Sequence, residues 1–498
     1  MNFQKLKHRT KRMWQKDLVF WLRYRKKILY WTFAIFHVLG FFSSINAIMQ
    51  TRTPQGAIAW AVSLNTFPYI AVPAYWIFGA SEFEDYFHSR EESRQAAREI
   101  RQELRTRLID GNMLQEPDDV KDRVLASLAE QPFTRGNQVE LLTSGAETYE
   151  SMLEGIESAK HYILFQFYII RDDDIGRRFR DALARKAREG VKVYAMYDEI
   201  GSLGLPSDFG KPITDAGSEF VTFNTTEGFM NRLRLNFRNH RKIVVIDGQY
   251  AWTGGNNIGE EYTGTGENGS EFYRDTHIKM SGPVVQMVQS VFVEDWYWVK
   301  RGFPELDWQP DRSEEGDLKM LCLASGPSDT RETCALFYLT AINSAQKRIW
   351  ISSPYFVPDQ QIFSALALAV LRGVDVRIMV PRTTDLPLTN FSHLGILGET
   401  EKSGVNVYAY EKGFNHQKVM LVDDQYSYIG SANFDNRSFR LNFEITMVVD
   451  DKDFAVKTEA MLEKDFEYSP LVPPDTFRES NFFRRLIART ALLLAPIQ

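Results

Sequence analysis

Two long runs of uncharged residues lie near the start of the chain. Residues 28–49 and 57–79 contain no Lys, Arg, Asp or Glu, and a short polar segment separates them. Each run is long enough to cross the roughly 30 Å hydrocarbon core of a bilayer as a helix. A cleaved signal peptide has a shorter apolar core and no second run behind it, so the pattern favours a transmembrane hairpin. For the second run, which contains Pro68 and Pro73, the alternative is a buried core helix.

Positive charge is concentrated before the first run. Residues 1–27 contain ten Lys or Arg against the single acid Asp17, whereas only Arg52 lies between the two runs. Because Lys and Arg beside a span tend to stay on the cytoplasmic side, we expect the N-terminus to be cytoplasmic. A hairpin returns the rest of the chain to that side, so the sequence predicts a multi-pass protein of the cell membrane with its catalytic domains in the cytoplasm. The same tail is equally suited to binding anionic lipid headgroups.

Beyond residue 135 the hydrophobic pattern changes to apolar strands alternating with amphipathic helices, and the order occurs twice. Each copy contains a strand, a helix and two further strands: 162–170, 176–189, 191–197 and 219–224 in the first, and 348–356, 360–372, 374–380 and 405–410 in the second. Such alternation predicts an α/β fold with a mostly parallel sheet covered by helices on both faces. Two related α-β-α domains are therefore expected, with loop insertions between the copies.

These patterns divide the chain into six predicted segments. They are a basic tail at 1–27, a transmembrane hairpin at 28–80 (spans at about 28–49 and 57–79), a helical connector at 81–135, domain 1 at 136–312, domain 2 at 313–475 and an amphipathic C-terminal helix at 476–498. The last helix has two open interpretations, a basic amphipathic helix on the membrane surface or a helix packed on domain 2. Cys322 and Cys334 are too few for a disulfide framework.

A motif of His, Lys, Asp and Asn closes each copy. It reads NHRKIVVIDGQYAWTGGNN from Asn239 and NHQKVMLVDDQYSYIGSAN from Asn415. Side chains two apart in a strand share a face, so His and Lys of each motif point the same way. The Asp of each motif follows an apolar strand at an odd offset and is interpreted as a hairpin-turn residue. The candidate catalytic set, with both Asp retained as members of the motif, is His240, Lys242, Asp247, His416, Lys418 and Asp423.

Packed across a pseudo-twofold axis, the two motifs would bring together two His, two Lys and two Asn. This set suits a phosphodiester, because Lys242, Lys418, Asn257 and Asn433 can hold its non-bridging oxygens. One imidazole can attack phosphorus while the other protonates the leaving alkoxide. This chemistry requires no metal and no other cofactor. Each imidazole needs a partner to fix its tautomer, and the candidates downstream are Asp275 and Glu444, for which the alternative is an ordinary strand carboxylate.

The doubled motif and its surroundings resemble a known family. YDEIGS from Tyr197, PYFVPD from Pro354 and NRSFRLNFE from Asn436 are, together with the motifs, similar over nearly the whole chain to the phospholipase D superfamily and to its bacterial cardiolipin synthases. The resemblance implies two duplicated phospholipase D-like domains that condense two phosphatidylglycerols into cardiolipin and glycerol through a phosphohistidine. It further implies that His240 is the nucleophile and His416 the general acid and base. Gln166 departs from the acid expected there in many relatives.

Alternative functions are weighed against this one. Transfer to another alcohol, or to water as a phospholipase D, uses the same chemistry. A nuclease is disfavoured by the two spans and by the net charge of −6, so no nucleic acid partner is expected. A non-catalytic scaffold would predict decay of a His or Lys, and both sets are intact. The alternation of Arg232, Arg234 and Arg238 with apolar residues suits anionic membrane lipids, or else a β-edge protected by basic residues.

Overall fold

The computed structural model describes residues 3–51, 53–79, 84–223, 237–264, 273–384 and 387–495. Arg232 and Arg234, proposed above to face lipid, lie outside these ranges, as does residue 224 at the end of a predicted strand. The chain forms two units, an N-terminal helical unit and an α/β unit that is described from residue 84 onward.

The N-terminal unit contains three helices, α1 (Phe3–Gln50), α2 (Pro54–Thr66) and α3 (Pro68–Phe78). Among the described residues, one helical stretch, Tyr24–Gln50, is long and apolar enough to cross a membrane. It contains the first predicted span.

The second predicted span is divided into two helices. Pro68 starts α3, since proline lacks an N–H and is favoured in the first turn of a helix. The two helices have 13 and 11 residues, about 20 and 16 Å at 1.5 Å per residue, and each is shorter than a bilayer core. α3 folds back beside α2, since the rings of Trp60 and Tyr75 lie 5.2 Å apart, and Tyr75 also donates a hydrogen bond to Asn46 of α1. The prediction of one continuous helix over 57–79 is therefore wrong.

The α/β unit is built around one mixed sheet. Its first-half strands are β1 (Leu114–Gln115), β2 (Phe133–Leu142), β3 (Tyr162–Phe167), β4 (Lys192–Tyr197), β5 (Glu219–Thr222), β6 (Arg238–Asn239), β7 (Ile243–Ile246), β8 (Tyr250–Gly254), β9 (Tyr273–Arg274) and β10 (His277–Ser281). Its second-half strands are β11 (Leu318–Ser325), β12 (Arg348–Ser352), β13 (Phe356–Val357), β14 (Asp375–Pro381), β15 (Asn406–Tyr410), β16 (Phe414–Asn415), β17 (Val419–Val422), β18 (Tyr426–Gly430), β19 (Phe434–Asp435) and β20 (Asn442–Asp450). Two short pairs, β13 with β19 and β16 with β9, stand outside the main sheet.

The helices of this unit are α4 (Glu84–Ala96), α5 (Arg98–Asp110), α6 (Val120–Ala129), α7 (Gly145–Ser158), α8 (Asp174–Arg188), α9 (Lys211–Thr214), α10 (Val284–Lys300), α11 (Thr333–Ser344), α12 (Gln360–Leu371), α13 (Pro387–Ser403), α14 (Asn436–Arg440), α15 (Lys452–Phe466), α16 (Thr476–Glu479) and α17 (Phe482–Leu492), with a 3₁₀ turn at Glu260–Tyr262. They cover both faces of the sheet, as predicted. Leu164 and Phe165 are neighbours in β3, yet the first packs in a cluster with Phe292 of α10 and the second in a cluster with Phe179 of α8.

The strand order shows how the two halves meet. It runs β15-β14-β12-β17-β18-β20-β11-β2-β10-β8-β7-β3-β4-β5. Only the outer trios, β3-β4-β5 and β12-β14-β15, pair in parallel, whereas the neighbours between them are antiparallel. The prediction of a mostly parallel sheet is therefore wrong. Each motif strand turns straight back into its neighbour, β7 into β8 and β17 into β18, and such a hairpin is necessarily antiparallel.

The C-terminal helix α17 packs on α13 of the second half. A Cβ added at Gly395 of α13 would lie 2.8 Å from Leu492, and Arg489 forms an ion pair with Glu399. Of the two interpretations, the packed helix is the one observed, while Phe482 and Phe483 on its other side stay exposed.

Candidate active site

Each motif histidine is held by the backbone of the opposite half of the chain. The N–H of His240 donates to the carbonyl of Phe443 at 2.9 Å, because β6 pairs in parallel with the start of β20. The N–H of His416 donates to the carbonyl of Arg274 at 2.8 Å, next to the parallel pair of β16 with β9. The fold thereby brings together two motifs that are far apart in sequence.

The imidazoles are oriented by carboxylates, again from the opposite half. Nδ1 of His240 lies 3.0 and 3.1 Å from the two oxygens of Glu444, and Nδ1 of His416 lies 2.6 Å from Oδ2 of Asp275. A carboxylate partner on Nδ1 fixes the proton there and leaves the lone pair on Nε2. Both predicted orienting residues thus contact an imidazole, and both are fully buried.

The two carboxylates are held differently, which explains the Gly-Gly and Gly-Ser variants of the motif. A Cβ added at Gly255 would lie 2.0 Å from Oδ1 of Asp275, so this position has no room for a side chain. At the matching position Ser431 donates from its hydroxyl to Glu444 at 2.5 Å. Ser438 donates to the same carboxylate at 2.8 Å and Asn442 at 3.1 Å. The longer Glu444 is therefore held by side chains, and the shorter Asp275 by close packing against backbone.

Burial keeps both imidazoles neutral near pH 7. It lowers the pKa of His240 to about 4 and that of His416 to about 3, although the adjacent carboxylates oppose this change. Burial alone would raise the pKa of Glu444 and that of Asp275, but both stay below their usual values because of hydrogen bonds from the imidazoles and the nearby lysine charges. Ionised carboxylates therefore face neutral imidazoles, the state that a nucleophile or a general base requires.

The lysines complete one shared cluster. Nζ of Lys242, which is fully buried, donates to the carbonyl of His240 at 2.6 Å, and Nζ of Lys418 lies 2.9 Å from Nδ1 of His416. Burial lowers the pKa of Lys242 well below its usual range. Lys418 also lowers the pKa of His240, and Lys242 that of His416, so each lysine acts on the imidazole of the other motif.

Each motif asparagine is linked by a short chain of hydrogen bonds to the imidazole of the other motif. Asn257 donates from Nδ2 to the hydroxyl of Tyr262 at 3.0 Å, and that hydroxyl lies 3.3 Å from Nδ1 of His416. The backbone N–H of Asn433 donates to Ser438, which also contacts the carboxylate that orients His240. Oδ1 of Asn433 is buried with no protein partner among the described residues.

The motif aspartates are the members of the predicted set that the structure separates from the imidazoles. Asp247 has φ 51° and Asp423 has φ 55°, in the turns between β7 and β8 and between β17 and β18. The carboxylate of Asp247 accepts the backbone N–H groups of residues 160–162, and that of Asp423 those of residues 346–348. Their interpretation as turn residues is confirmed, and their inclusion in the catalytic set is corrected. They tie the motif hairpin to the start of the neighbouring strand.

Several residues around the imidazoles were not singled out from the sequence. The ring of Tyr168 lies 4.9 Å from that of His240 in a T-shaped arrangement, and Tyr262 and Tyr273 each lie 5.7 Å from His416. Ser438 falls inside NRSFRLNFE and Tyr262 lies five residues after the first motif, but nothing in a single sequence separates them from other polar residues nearby. Only the approach of the opposite half gives them a role.

A buried polar network supports the first motif from behind. Asp295 accepts hydrogen bonds from Arg241 at 2.7 Å, from Asn239 and Gln166 at 2.8 Å each, and from Tyr86 of α4 at 2.5 Å. An acid at position 166 would place a second negative charge against Asp295. Gln166 stands where many relatives are expected to carry an acid, and here it donates a hydrogen bond to Asp295 behind the motif.

Within the described ranges, one acidic group could hold a cation. Asp118, Asp122 and Asp450 approach one another, but the ammonium of Lys319 binds all three. This group is an ion-pair cluster.

Comparison with known proteins agrees with this geometry. The family model described as "Cardiolipin synthase, PLD-like domain" matches residues 152–296 and 338–466. Cardiolipin synthase A of Pseudomonas entomophila (strain L48) is 43% identical over 467 residues, covering 93% of this chain and 97% of that protein. Cardiolipin synthase A of Pseudomonas putida (strain W619) is 42% identical over 474 residues, with the same coverage.

A solved structure shows the same fold. The crystal structure of phosphatidylserine synthase from Haemophilus influenzae Rd KW20 superposes with a TM-score of 0.57 at 17% identity, covering 76% of this chain and 100% of that one. A family match in both halves and relatives aligned over almost the full length lead to one conclusion. The chain belongs to the cardiolipin synthase family of phospholipase D-like proteins.

Proposed function

We propose that this protein transfers a phosphatidyl group from one phosphatidylglycerol to another, which yields cardiolipin and glycerol. The observation that carries this proposal is the crossed pair of histidines, each bound through Nδ1 to a buried carboxylate of the other half. Two neutral imidazoles with two lysines in one cluster suit phosphodiester exchange, which needs a nucleophile, an acid and positive charge. Relatives named cardiolipin synthase A support phosphatidylglycerol as the substrate.

The proposed reaction has two steps. In the first, Nε2 of one imidazole attacks phosphorus, the bond from phosphorus to the glycerol oxygen breaks, and the second imidazole gives its proton to that oxygen. In the next, the second imidazole removes a proton from the hydroxyl of the acceptor lipid, whose oxygen displaces the first imidazole. The bound phosphodiester anion favours the protonated imidazole that the first step needs, since an opposite charge raises a histidine pKa.

The roles of individual residues follow from the resemblance and from the contacts above. His240 is proposed as the nucleophile and His416 as the acid and base. Lys242, Lys418, Asn257 and Asn433 hold the phosphate. The two halves are proposed to be duplicated domains related by a pseudo-twofold axis, because the strand order reads equivalently from both ends of the sheet. Acid quenching followed by mass spectrometry of phosphorylated histidine would test the choice of nucleophile.

The proposed reaction is tested with purified protein in detergent and labelled phosphatidylglycerol. We expect cardiolipin and free glycerol in equal amounts, without added CTP or divalent cation. Formation of phosphatidic acid alone would instead support a hydrolase, and labelled transfer to another added alcohol would support a broader transferase. His240→Ala should abolish every product, whereas His161→Ala, a change at an exposed histidine, should not affect the rate. Full activity of His240→Ala would refute the mechanism.

Membrane attachment through residues 28–79, with the catalytic domains in the cytoplasm, is also proposed. The basic tail and the apolar helix Tyr24–Gln50 support it. In intact cells, cysteines introduced at Asp17 and at exposed Glu140 should both resist a membrane-impermeant maleimide. Labelling at Glu140 alone would refute the two-span arrangement, and it would fit a segment in which α2 and α3 enter and leave the bilayer on one side.

A further inference from the structure

Two arginines from different halves of the chain lie on the His240 side of the site and have no part in the mechanism above. Arg238 is the first residue of β6 and lies two residues before His240, so both side chains leave the same face of the extended segment. The segment is fixed by its parallel pairing with β20, in which Arg238 lies opposite Asn442. Arg238 is half-buried.

Arg437 reaches the same place from the second half. It lies in α14, and the next residue, Ser438, donates a hydrogen bond at 2.8 Å to Glu444, the carboxylate that orients His240. Arg437 is also half-buried. The contacts of Ser438 with Glu444 and of Glu444 with His240 place helix α14, which carries Arg437, beside the site.

The two guanidinium groups act on each other and on the same aromatic residue. Burial lowers the pKa of Arg437, and the charge of Arg238 lowers it further. Burial raises the pKa of the Tyr168 phenol, and both arginines oppose that rise, while the ring of Tyr168 lies 4.9 Å from that of His240. Two like charges held in one partly buried place are unfavourable alone, and an anion that accepts hydrogen bonds from both would offset the repulsion.

Two carboxylates near the arginines accept backbone hydrogen bonds. Asp198, beside Arg238, accepts backbone N–H groups of residues 200, 201 and 239 at 2.9–3.1 Å. Asp435, beside Arg437, accepts the N–H of Ser438 at 2.7 Å, and burial raises its pKa to about 7. Asp435 is therefore only partly ionised near neutral pH, so it offsets only part of the charge of Arg437.

The second motif lacks this pair. In the aligned motif copies, the position of Arg238 is taken by Phe414, and that of Arg437 by Glu261. The ring of Phe414 lies 5.8 Å from that of His416, on a side formed by aromatic rings. The residues that serve one reacting phosphate are thus duplicated, whereas the arginines occur on one side only. Their function therefore concerns a second anion.

We propose that Arg238 and Arg437 form a second anion subsite, which binds the phosphodiester of the acceptor lipid while its free hydroxyl enters the catalytic cluster. This inference rests on the proposed function. Cardiolipin carries two phosphates joined through one glycerol, so an enzyme that forms it must accept a second phosphate one glycerol away from the reacting phosphorus. The subsite favours an anionic lipid acceptor over glycerol or water, which carry no phosphate.

The test compares two acceptors with the same donor. Short-chain phosphatidylglycerol below its micellar concentration is supplied, and two products are measured, cardiolipin and phosphatidylglycerol that has exchanged its headgroup with labelled glycerol. Arg238→Gln and Arg437→Gln should each lower cardiolipin formation about tenfold to a hundredfold, the range for loss of a charge-assisted hydrogen bond. Glycerol exchange should change less than about threefold, and it also reports that the variant is folded. The corresponding Lys variants should recover part of the cardiolipin synthesis.

Each other outcome has a defined meaning. An equal fall of both products, or no fall of either, would overturn the subsite. Arg485→Gln on the C-terminal helix is the control for general attraction to anionic lipid. If this change lowers cardiolipin formation as much as Arg238→Gln or Arg437→Gln does, the subsite is also overturned. If the unaltered protein forms neither product, the proposed function fails, and that failure is distinct from failure of the subsite.

Discussion

The contact between His240 and Glu444 gives the sharpest prediction about the chemistry. Glu444→Gln keeps the size of the side chain but removes its negative charge and replaces one acceptor oxygen by a donor NH₂. The carboxylate now accepts from His240, Ser431, Ser438 and Asn442, and no part of it is exposed. All four partners now donate to it, so the NH₂ of the new amide would face a group that now donates, and that partner must turn away or lose its hydrogen bond.

These contacts set the expected loss of rate in Glu444→Gln. A hydrogen bond to a charged group contributes about 1.5–3 kcal/mol, and a buried donor left without an acceptor costs about 1–3 kcal/mol. Loss of about 3–5 kcal/mol in the transition state corresponds to a rate reduced by about 10²–10⁴, at roughly 1.4 kcal/mol for each tenfold. The upper end is similar to the roughly 10⁴-fold effect of the same change in serine proteases, where the imidazole adopts the wrong tautomer.

The assay follows cardiolipin formation from labelled phosphatidylglycerol, with kcat and KM determined separately. We expect the loss in kcat, because the carboxylate stabilises the imidazolium that forms during reaction and does not itself contact lipid. Glu411→Gln is a matched control, since that carboxylate forms an exposed ion pair with Arg382. Circular dichroism and thermal unfolding would confirm that both variants are folded. A folded Glu444→Gln enzyme within about threefold of the original kcat would refute this account of the site.

Four further results are expected. Tyr86→Phe, which removes one donor to Asp295 behind the motif, should lower kcat about 3- to 30-fold with little change in KM, and unchanged kinetics would show that the network does not position the site. Gly255→Ala should lose nearly all activity, because its methyl group would meet the Asp275 carboxylate, and a fully active variant would contradict the close packing seen there. Burial lowers the pKa of His240 to about 4 and that of His416 to about 3, below the usual 6.5, so kcat/KM should show no inflection near pH 6.5. The unfolded state binds more protons than the folded state between about pH 4 and 6.5, so unfolding by denaturant should require less denaturant as pH falls through that window, and the opposite trend would contradict the burial of these groups.

Local patterns predicted most elements of the fold but not their directions. The strands over 162–170 and 348–356 and the helices near 176–189 and 360–372 were found close to their predicted positions, because apolar periodicity depends on neighbours in sequence. The direction of pairing depends instead on the connection, and the hairpins at Asp247 and Asp423 make β7-β8 and β17-β18 antiparallel. The division of the second run was missed for a related reason, since a run without charges does not reveal that a helix restarts at Pro68.

The sequence by itself determined the chemistry available to this protein. Strand alternation sets His and Lys of each motif on one face, the odd offset of each Asp places it in a turn, and the doubled pattern identifies the family. These conclusions hold because they depend on residues a few positions apart. The partner of each imidazole was decided only by the tertiary structure, since Glu444 lies 204 residues from His240, and Asp275 lies 141 residues from His416. Pairing of β6 with β20 and of β16 with β9 exchanges the carboxylates between the halves. Neither motif forms a complete site alone, because its imidazole takes its orienting carboxylate from the other half.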